Sequence, residues 1–196
     1  TFTNKAAKEM RDRVYNLVGD VASFIGTFHS LGLRIIRENC GYLNLPSNFS
    51  IIDSDDVLTV IKKILKDMNL DTKQYSPSYI RNRISFIKNQ MLSEMELDKF
   101  FISLIDKIVV DVYYKYNERL IASAAVDFDD LLLMPVRLFE HNKEILEHYQ
   151  ERYKYILIDE YQDTNPIQYK LSKLLASKYK NIFVVGDNDQ AIYAFR

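Results

Sequence analysis

Tyr155-Ile156-Leu157-Ile158-Asp159-Glu160-Tyr161-Gln162-Asp163-Thr164-Asn165 is the stretch on which the reading of the chain turns. Its first half is a short apolar run, the pattern of a strand buried on both faces of a sheet. Its second half changes abruptly to acids and amides. Asp159 and Glu160 are therefore expected where the strand meets solvent, at the carboxyl edge where open α/β sheets bind ligands. One carboxylate there can hold a hard cation such as Mg²⁺, and a second can take a proton from an attacking water. An ordinary strand running into a polar loop would place the same two acids there without chemistry, so the pair alone decides nothing.

The residues downstream narrow the choice. Asn165 suits a helix cap, Pro166 the first helical position and Gln168 the third position of a capping box. Ile167, Leu171, Leu174 and Leu175 follow at helical spacing. A second apolar run, Asn181 to Val185, ends in Gly186-Asp187-Asn188-Asp189-Gln190. Strand, helix and strand of these lengths make a crossover unit with parallel pairing, which brings both acidic strand ends to one edge. Beyond them Tyr193, Phe195 and Arg196 set two rings and a guanidinium beside a polar loop. Such rings can stack on unpaired bases, although packing explains a trio of this kind equally well.

Composition limits the classes available. A formal charge of −1 gives no global pull towards nucleic acid, so any phosphate binding must come from local patches. Cys40 is the single cysteine, which excludes an internal disulfide; with no signal peptide, it points to a reducing compartment. No apolar run is long enough to span a bilayer. Three scattered histidines and one cysteine make no zinc pattern. None of the five glycines precedes a lysine, so these residues contain no phosphate-cradling Walker A loop. A start at Thr1 rather than Met, and a stop at Arg196 with no closing element, suggest a piece of a longer chain.

Taken from the start, Thr1-Phe2-Thr3 reads as a strand end and Asn4 as a helix cap, followed by an apolar face of Ala7, Met10, Val14 and Leu17. Free N–H groups at such a helix start attract phosphate, and Phe2 beside it is either buried or a stacking surface. Ser23 to Gly26 reads as another short strand leading to Thr27, His29 and Ser30 at a second strand-to-helix junction. From Leu45 the texture becomes helical. Asp53 caps a helix over 54–69, and Ser76-Pro77 starts one with Ile80, Ile84, Ile87 and Met91 in register. A long third helix carries Phe101, Leu104, Ile105, Ile108, Val112 and Tyr116. Lys62, Lys63, Lys66, Arg81, Arg83 and Lys88 form either solvated helix faces or a weak basic surface. Asp127-Phe128-Asp129-Asp130 returns the chain to the sheet; a cap and a first helical turn account for these acids without catalysis. Helix is then expected up to Arg152, with His141 and His148 near the surface.

Together these segments resemble the UvrD/Rep/PcrA family of superfamily 1 DNA helicases. Thr1 to Met10 is similar to its motif Ia, Thr27-Phe28-His29-Ser30 to the next DNA-contacting motif, Asp159 to Asn165 to motif II (Walker B), and Val185 to Gln190 to motif III. Asp127 to Leu131 also has its equivalent there. The resemblance implies an α/β fold: a RecA-like parallel sheet with flanking helices over 1–44 and 122–196, lacking its P-loop strand, plus an inserted all-helical subdomain over 45–121. It implies ATP and Mg²⁺, with Asp159 on the metal, Glu160 on the attacking water, Gln190 on the γ-phosphate and Asp187 in the nucleotide site. Phe2, Thr3, Asn4, Thr27, His29, Tyr193, Phe195 and Arg196 would line a single-strand track. Single-stranded DNA, duplex junctions, repair or replication proteins and the bacterial cytosol follow, with no membrane. Ala191 stands where many relatives carry Ser, and Phe195 where some carry Trp. The Walker A loop is expected before Thr1 and the second RecA-like domain after Arg196, so this stretch alone is not expected to hydrolyse ATP. Two alternatives stay open. One is a non-catalytic domain that binds single-stranded DNA or a partner; the other is a metal-dependent nuclease using Asp159, Glu160, Asp163, Asp187 and Asp189.

Overall fold

The computed structural model describes residues 1–19, 24–187 and 189, without the Phe100 side chain. In chain order the elements are α1 (Asn4–Val18), α2 (Phe28–Glu38), a 3-10 turn (Cys40–Leu43), β1 (Ser50–Ile51), α3 (Ser54–Asp67), α4 (Pro77–Asn89), α5 (Glu94–Phe100) and α6 (Leu104–Ala122). There follow β2 (Ala125–Val126), α7 (Asp130–His141), α8 (Lys143–Arg152), β3 (Ile156–Ile158), a second 3-10 turn (Tyr161–Asp163), α9 (Pro166–Ala176) and β4 (Ile182–Val184). They form two compact units: Thr1–Asn39 with Met134–Arg196, and Cys40–Leu133.

In the Cys40–Leu133 unit, local polar residues fix where helices begin and apolar stripes fix how they pack. Asp53 Oδ1 accepts from the N–H groups of Asp55 and Asp56, both at 2.9 Å, and Asp56 bonds back to Asp53. Ser76 caps α4, with Pro77 at its first position. Ile61, Ile64 and Leu65 of α3 meet Ile80, Ile84 and Ile87 of α4 and Val109, Val112 and Tyr116 of α6 in one buried cluster. Each such side chain contributes roughly 1.5–3 kcal/mol by leaving water. β1 and β2 close the unit as a short parallel pair, Ser50 opposite Ala125.

Three expectations are corrected here. The long third helix is broken: Phe101 ends α5, and Ser103 starts α6 through a capping box with Asp106. The reciprocal bonds (Asp106 N–H to Ser103 Oγ, 3.2 Å, and Ser103 N–H to Asp106 Oδ2, 3.3 Å) satisfy orphan N–H groups that a continuous helix would not leave open. Leu104 consequently points outwards and is 74% exposed. Met91 lies outside α4, in the left-handed region at φ 54°. Lys88 belongs to no basic surface. It is buried, and its Nζ donates to Asp127 Oδ2 and Asp130 Oδ1, both at 2.8 Å. Tyr116 donates to the same Asp127 oxygen at 2.7 Å, and Asn89 donates to Asp129 at 2.8 Å. Burial alone would lower the Lys88 pKa, but the Asp130 and Asp127 carboxylates raise it above the ordinary lysine value. Arg83 is also drawn inwards, 4.4 Å from the Phe101 ring centroid.

In the other unit Thr3 caps α1 through its hydroxyl, which accepts from Ala6 N–H at 3.2 Å, and Gly19 ends the helix at φ 75°. α9 starts with the capping box read in the sequence: Asn165 accepts from Gln168 N–H at 3.0 Å, Gln168 bonds back, and Pro166 stands at the first position. β3 and β4 pair in parallel, Ile156 opposite Ile182 and Ile158 opposite Val184, with α9 as the crossover. Thr1–Phe2 and Phe24–Gly26 are not strands. They are irregular segments tied by one bond, the Thr1 amino group to Gly26 O at 3.1 Å, and Ser23 lies outside the described residues. The expected burial of β3 and β4 on both faces is also corrected, for Leu157 is 73% and Phe183 63% exposed. Their apolar pattern is that of interior parallel strands, while among the described residues β3 and β4 pair only with each other.

Candidate nucleotide site and nucleic-acid interface

The carboxyl ends of β3 and β4 run on side by side past their last paired residues. Val185 N–H donates to Ile158 O at 2.8 Å, and Tyr161 N–H donates to Val185 O at 2.9 Å. This sets Asp159 and Glu160 directly beside Gly186 and Asp187. Glu160 adopts φ 55°, ψ 44°, a left-handed conformation that is uncommon for a residue with a Cβ. Such strain costs on the order of 1–3 kcal/mol and gathers at functional sites. A Cβ on Gly186 would lie 2.6 Å from Gln162 Oε1 and 3.2 Å from Gln162 N, so the Gln162 amide would have to shift to admit one. Asp159 is half-buried and Glu160 exposed. No lysine or arginine among the described residues pairs with either.

The starts of α1 and α2 form a neighbouring group. The Thr1–Gly26 bond joins the segments leading into the two helices. Phe2 is half-buried, while Thr3 and Asn4 are exposed at the α1 start. Thr27 is buried, caps α2 by accepting from Ser30 N–H at 3.2 Å, and accepts the Ser30 hydroxyl on its carbonyl at 2.8 Å. His29 is half-buried, and burial holds its pKa below the ordinary histidine value, which favours the neutral ring. An apolar cavity of about 400 Å³ opens beside these residues, lined by Met10, Val14, Phe24, Leu31, Ile158 and Leu171.

Of the residues singled out in the sequence, the structure groups Asp159, Glu160 and Asp187 on one rim, and Phe2, Thr3, Asn4, Thr27 and His29 around two helix starts. Gln190, Tyr193, Phe195 and Arg196 lie outside the described residues. No cluster of three or more His, Cys, Asp or Glu side chains fit to hold a metal ion occurs among the described residues. That speaks against the nuclease reading, which requires several carboxylates converging on paired ions. No helix among them is long and apolar enough to cross a membrane. Sequence reasoning missed Gln162. Its amide donates from Nε2 to Glu160 Oε2 at 2.6 Å and accepts on Oε1 from Asp187 N–H at 3.1 Å. The sole hint in the sequence was an amide two residues after the acid.

The chain matches the UvrD/REP helicase N-terminal domain over residues 1–196, and it belongs to that family. Among curated proteins it is 46% identical over its whole length to the ATP-dependent DNA helicase PcrA of Staphylococcus aureus, and equally to those of Bacillus subtilis and Staphylococcus epidermidis. In each case it spans 27% of the relative's length.

Proposed function

We propose that these residues are part of an ATP-dependent DNA helicase, contributing a Walker B-type half-site and one wall of a single-strand track. The observation that carries the reading is the adjacency of Asp159-Glu160 and Gly186-Asp187 at the ends of two parallel strands. In this reading the unit Thr1–Asn39 with Met134–Arg196 is a RecA-like core, whose sheet continues beyond β3 and β4; their exposed apolar side chains support that extension. The stretch 45–121, helical apart from β1 and so not all-helical as expected, lies within the unit Cys40–Leu133 and is an inserted subdomain.

A lone half-buried carboxylate at a strand end fits Mg²⁺, which takes one or two protein carboxylates and completes its shell with water and substrate phosphates. Asp159 would hold the ion, which when bound supplies positive charge against the phosphoryl oxygens. Glu160, in its left-handed turn at the strand end, accepts the proton of the attacking water. Asp187 and Gln190 border the nucleotide. Such a site works mainly by positioning and charge stabilisation. Phe2 stacks on a base, Thr3 and Asn4 offer the α1 start to phosphate, and Thr27 and His29 do the same at α2. Tyr193, Phe195 and Arg196 complete the track. The parent protein, by family analogy, moves 3′ to 5′ on single-stranded DNA in the bacterial cytosol, opens duplex junctions and meets repair or replication proteins.

ATP hydrolysis by the full-length protein in the presence of single-stranded DNA tests this. Glu160→Gln is expected to lower turnover by about 10²–10⁴-fold while ATP and DNA still bind. Residues 1–196 alone are expected to show none. Turnover by this stretch that Glu160→Gln abolishes would overturn the half-site reading.

A further inference from the structure

Gln162 is placed to do something that a loop amide rarely does. Its Nε2 donates to Glu160 Oε2 at 2.6 Å, while its Oε1 accepts from the Asp187 backbone at 3.1 Å. Asp187 Oδ1 in turn accepts from Asp189 N–H at 3.0 Å. The amide has one admissible orientation, because flipping it would set oxygen against carboxylate and N–H against N–H. Gly186 is bare where a Cβ would strike the same Gln162 oxygen, so the close approach depends on that glycine. A hydrogen-bonded chain thus runs from Glu160 through Gln162 and Asp187 to Asp189, one residue before Gln190.

We propose that Gln162 is a positioning residue that holds the Glu160 carboxylate against the Gly186–Asp187 turn. The inference rests on the reading of Glu160 as the group that accepts the proton from water. Gln162 touches no reacting atom; it fixes the rotamer of the acid, and a charge-assisted bond to an exposed carboxylate is strong enough to do so. The strand-end turn that carries Asp187 thereby becomes part of the same rigid assembly as the acid.

The test is single-turnover ATP hydrolysis by the full-length protein with single-stranded DNA. Gln162→Met keeps the side-chain length and removes both bonds. It is expected to slow hydrolysis on the order of 10-fold or more, since small misplacements of a reacting group cost rates of this size. KM for ATP, DNA affinity and thermal midpoint should stay near native. Gly186→Ala, whose Cβ would press chiefly on the amide oxygen and more lightly on the Gln162 and Tyr161 nitrogens, is expected to act in the same direction and carries the test should Gln162→Met fold poorly. The decisive arm is a double-mutant cycle with Glu160→Ala. A residue that acts through Glu160 has nothing left to position there, so Gln162→Met should then change the residual rate by less than about twofold. Equal losses in both backgrounds would mark a merely structural glutamine and overturn the proposal. So would a native rate in Gln162→Met while Glu160→Ala is inactive. A native rate in Glu160→Ala itself would bring down the underlying reading, and this inference with it.

Discussion

The two units use aspartate in opposite ways. In Cys40–Leu133, Asp127, Asp129 and Asp130 turn inwards, where buried Lys88 and Tyr116 and half-buried Asn89 receive them. In the other unit Asp159 and Glu160 stand at strand ends with no lysine or arginine against them among the described residues. Desolvated carboxylates must be paired to be tolerated, and once paired they are unavailable to a ligand. Carboxylates kept near water at a strained turn retain their capacity for a metal ion or a proton. The contrast separates acids that hold a fold together from acids left open to solvent, although the sequence shows both as short acidic clusters.

The comparison breaks most easily at Lys88. Lys88→Met should cost about 3–5 kcal/mol in denaturant unfolding, because Asp127 and Asp130 are left buried without their cation. A loss under about 1 kcal/mol would show the network to be dispensable.

The pH dependence sharpens it further. Burial, reinforced by the nearby Asp127 charge and only partly offset by Lys88, pushes Asp130 up to about 6. A raised folded-state pKa gives a contribution to stability that is full below the unfolded value and lost as pH rises through about 6. Asp127 is shifted the other way: burial would raise it, but Lys88 and Tyr116 outweigh that, so its contribution is lost as pH falls below the ordinary aspartate range. Asp130→Asn removes the first of these. Stability should therefore decline less steeply between about pH 4 and 6 than in the native chain, as read from urea midpoints. An unchanged slope would contradict the assignment.

On the side of the strand-end acids, Phe2→Ala in the full-length protein should weaken single-stranded DNA binding by about 1–3 kcal/mol, read by titration against a labelled oligonucleotide. Unaltered affinity would make Phe2 a packing residue. The smallest effect is expected at Asn165→Ala, about 1 kcal/mol of thermal stability from loss of the α9 cap, with no change in how the rim acids behave.

How much of this was legible depends on how local the chemistry is. Asn165, Pro166 and Gln168 announce α9 because a cap is built within three residues, and the parallel pairing of β3 with β4 follows from the length of that crossover. The break before α6 is equally local, but the apolar residues on either side of Ser103 masked it. Lys88 was beyond reach, because its partners lie 39 and 42 positions away and a lysine on a helix ordinarily faces water. The exposure of β3 and β4 was unreadable for a different reason: periodicity reports that Leu157 and Phe183 suit an interior, not whether the covering residues belong to the same stretch. At the rim, Asp159 and Glu160 could be set beside Gly186 and Asp187 from topology alone. Gln162 could not be linked to Glu160, since a two-residue spacing does not fix the direction of an amide.

Single-turnover ATP hydrolysis by the full-length protein, compared between Glu160→Gln and Lys88→Met at a temperature where both are folded, bears most directly on the division between working and structural acids. The account predicts that Glu160→Gln loses the hydrolysis step and keeps the native melting temperature, whereas Lys88→Met hydrolyses ATP but melts earlier. Hydrolysis retained by Glu160→Gln, or a native melting temperature in Lys88→Met, would contradict it.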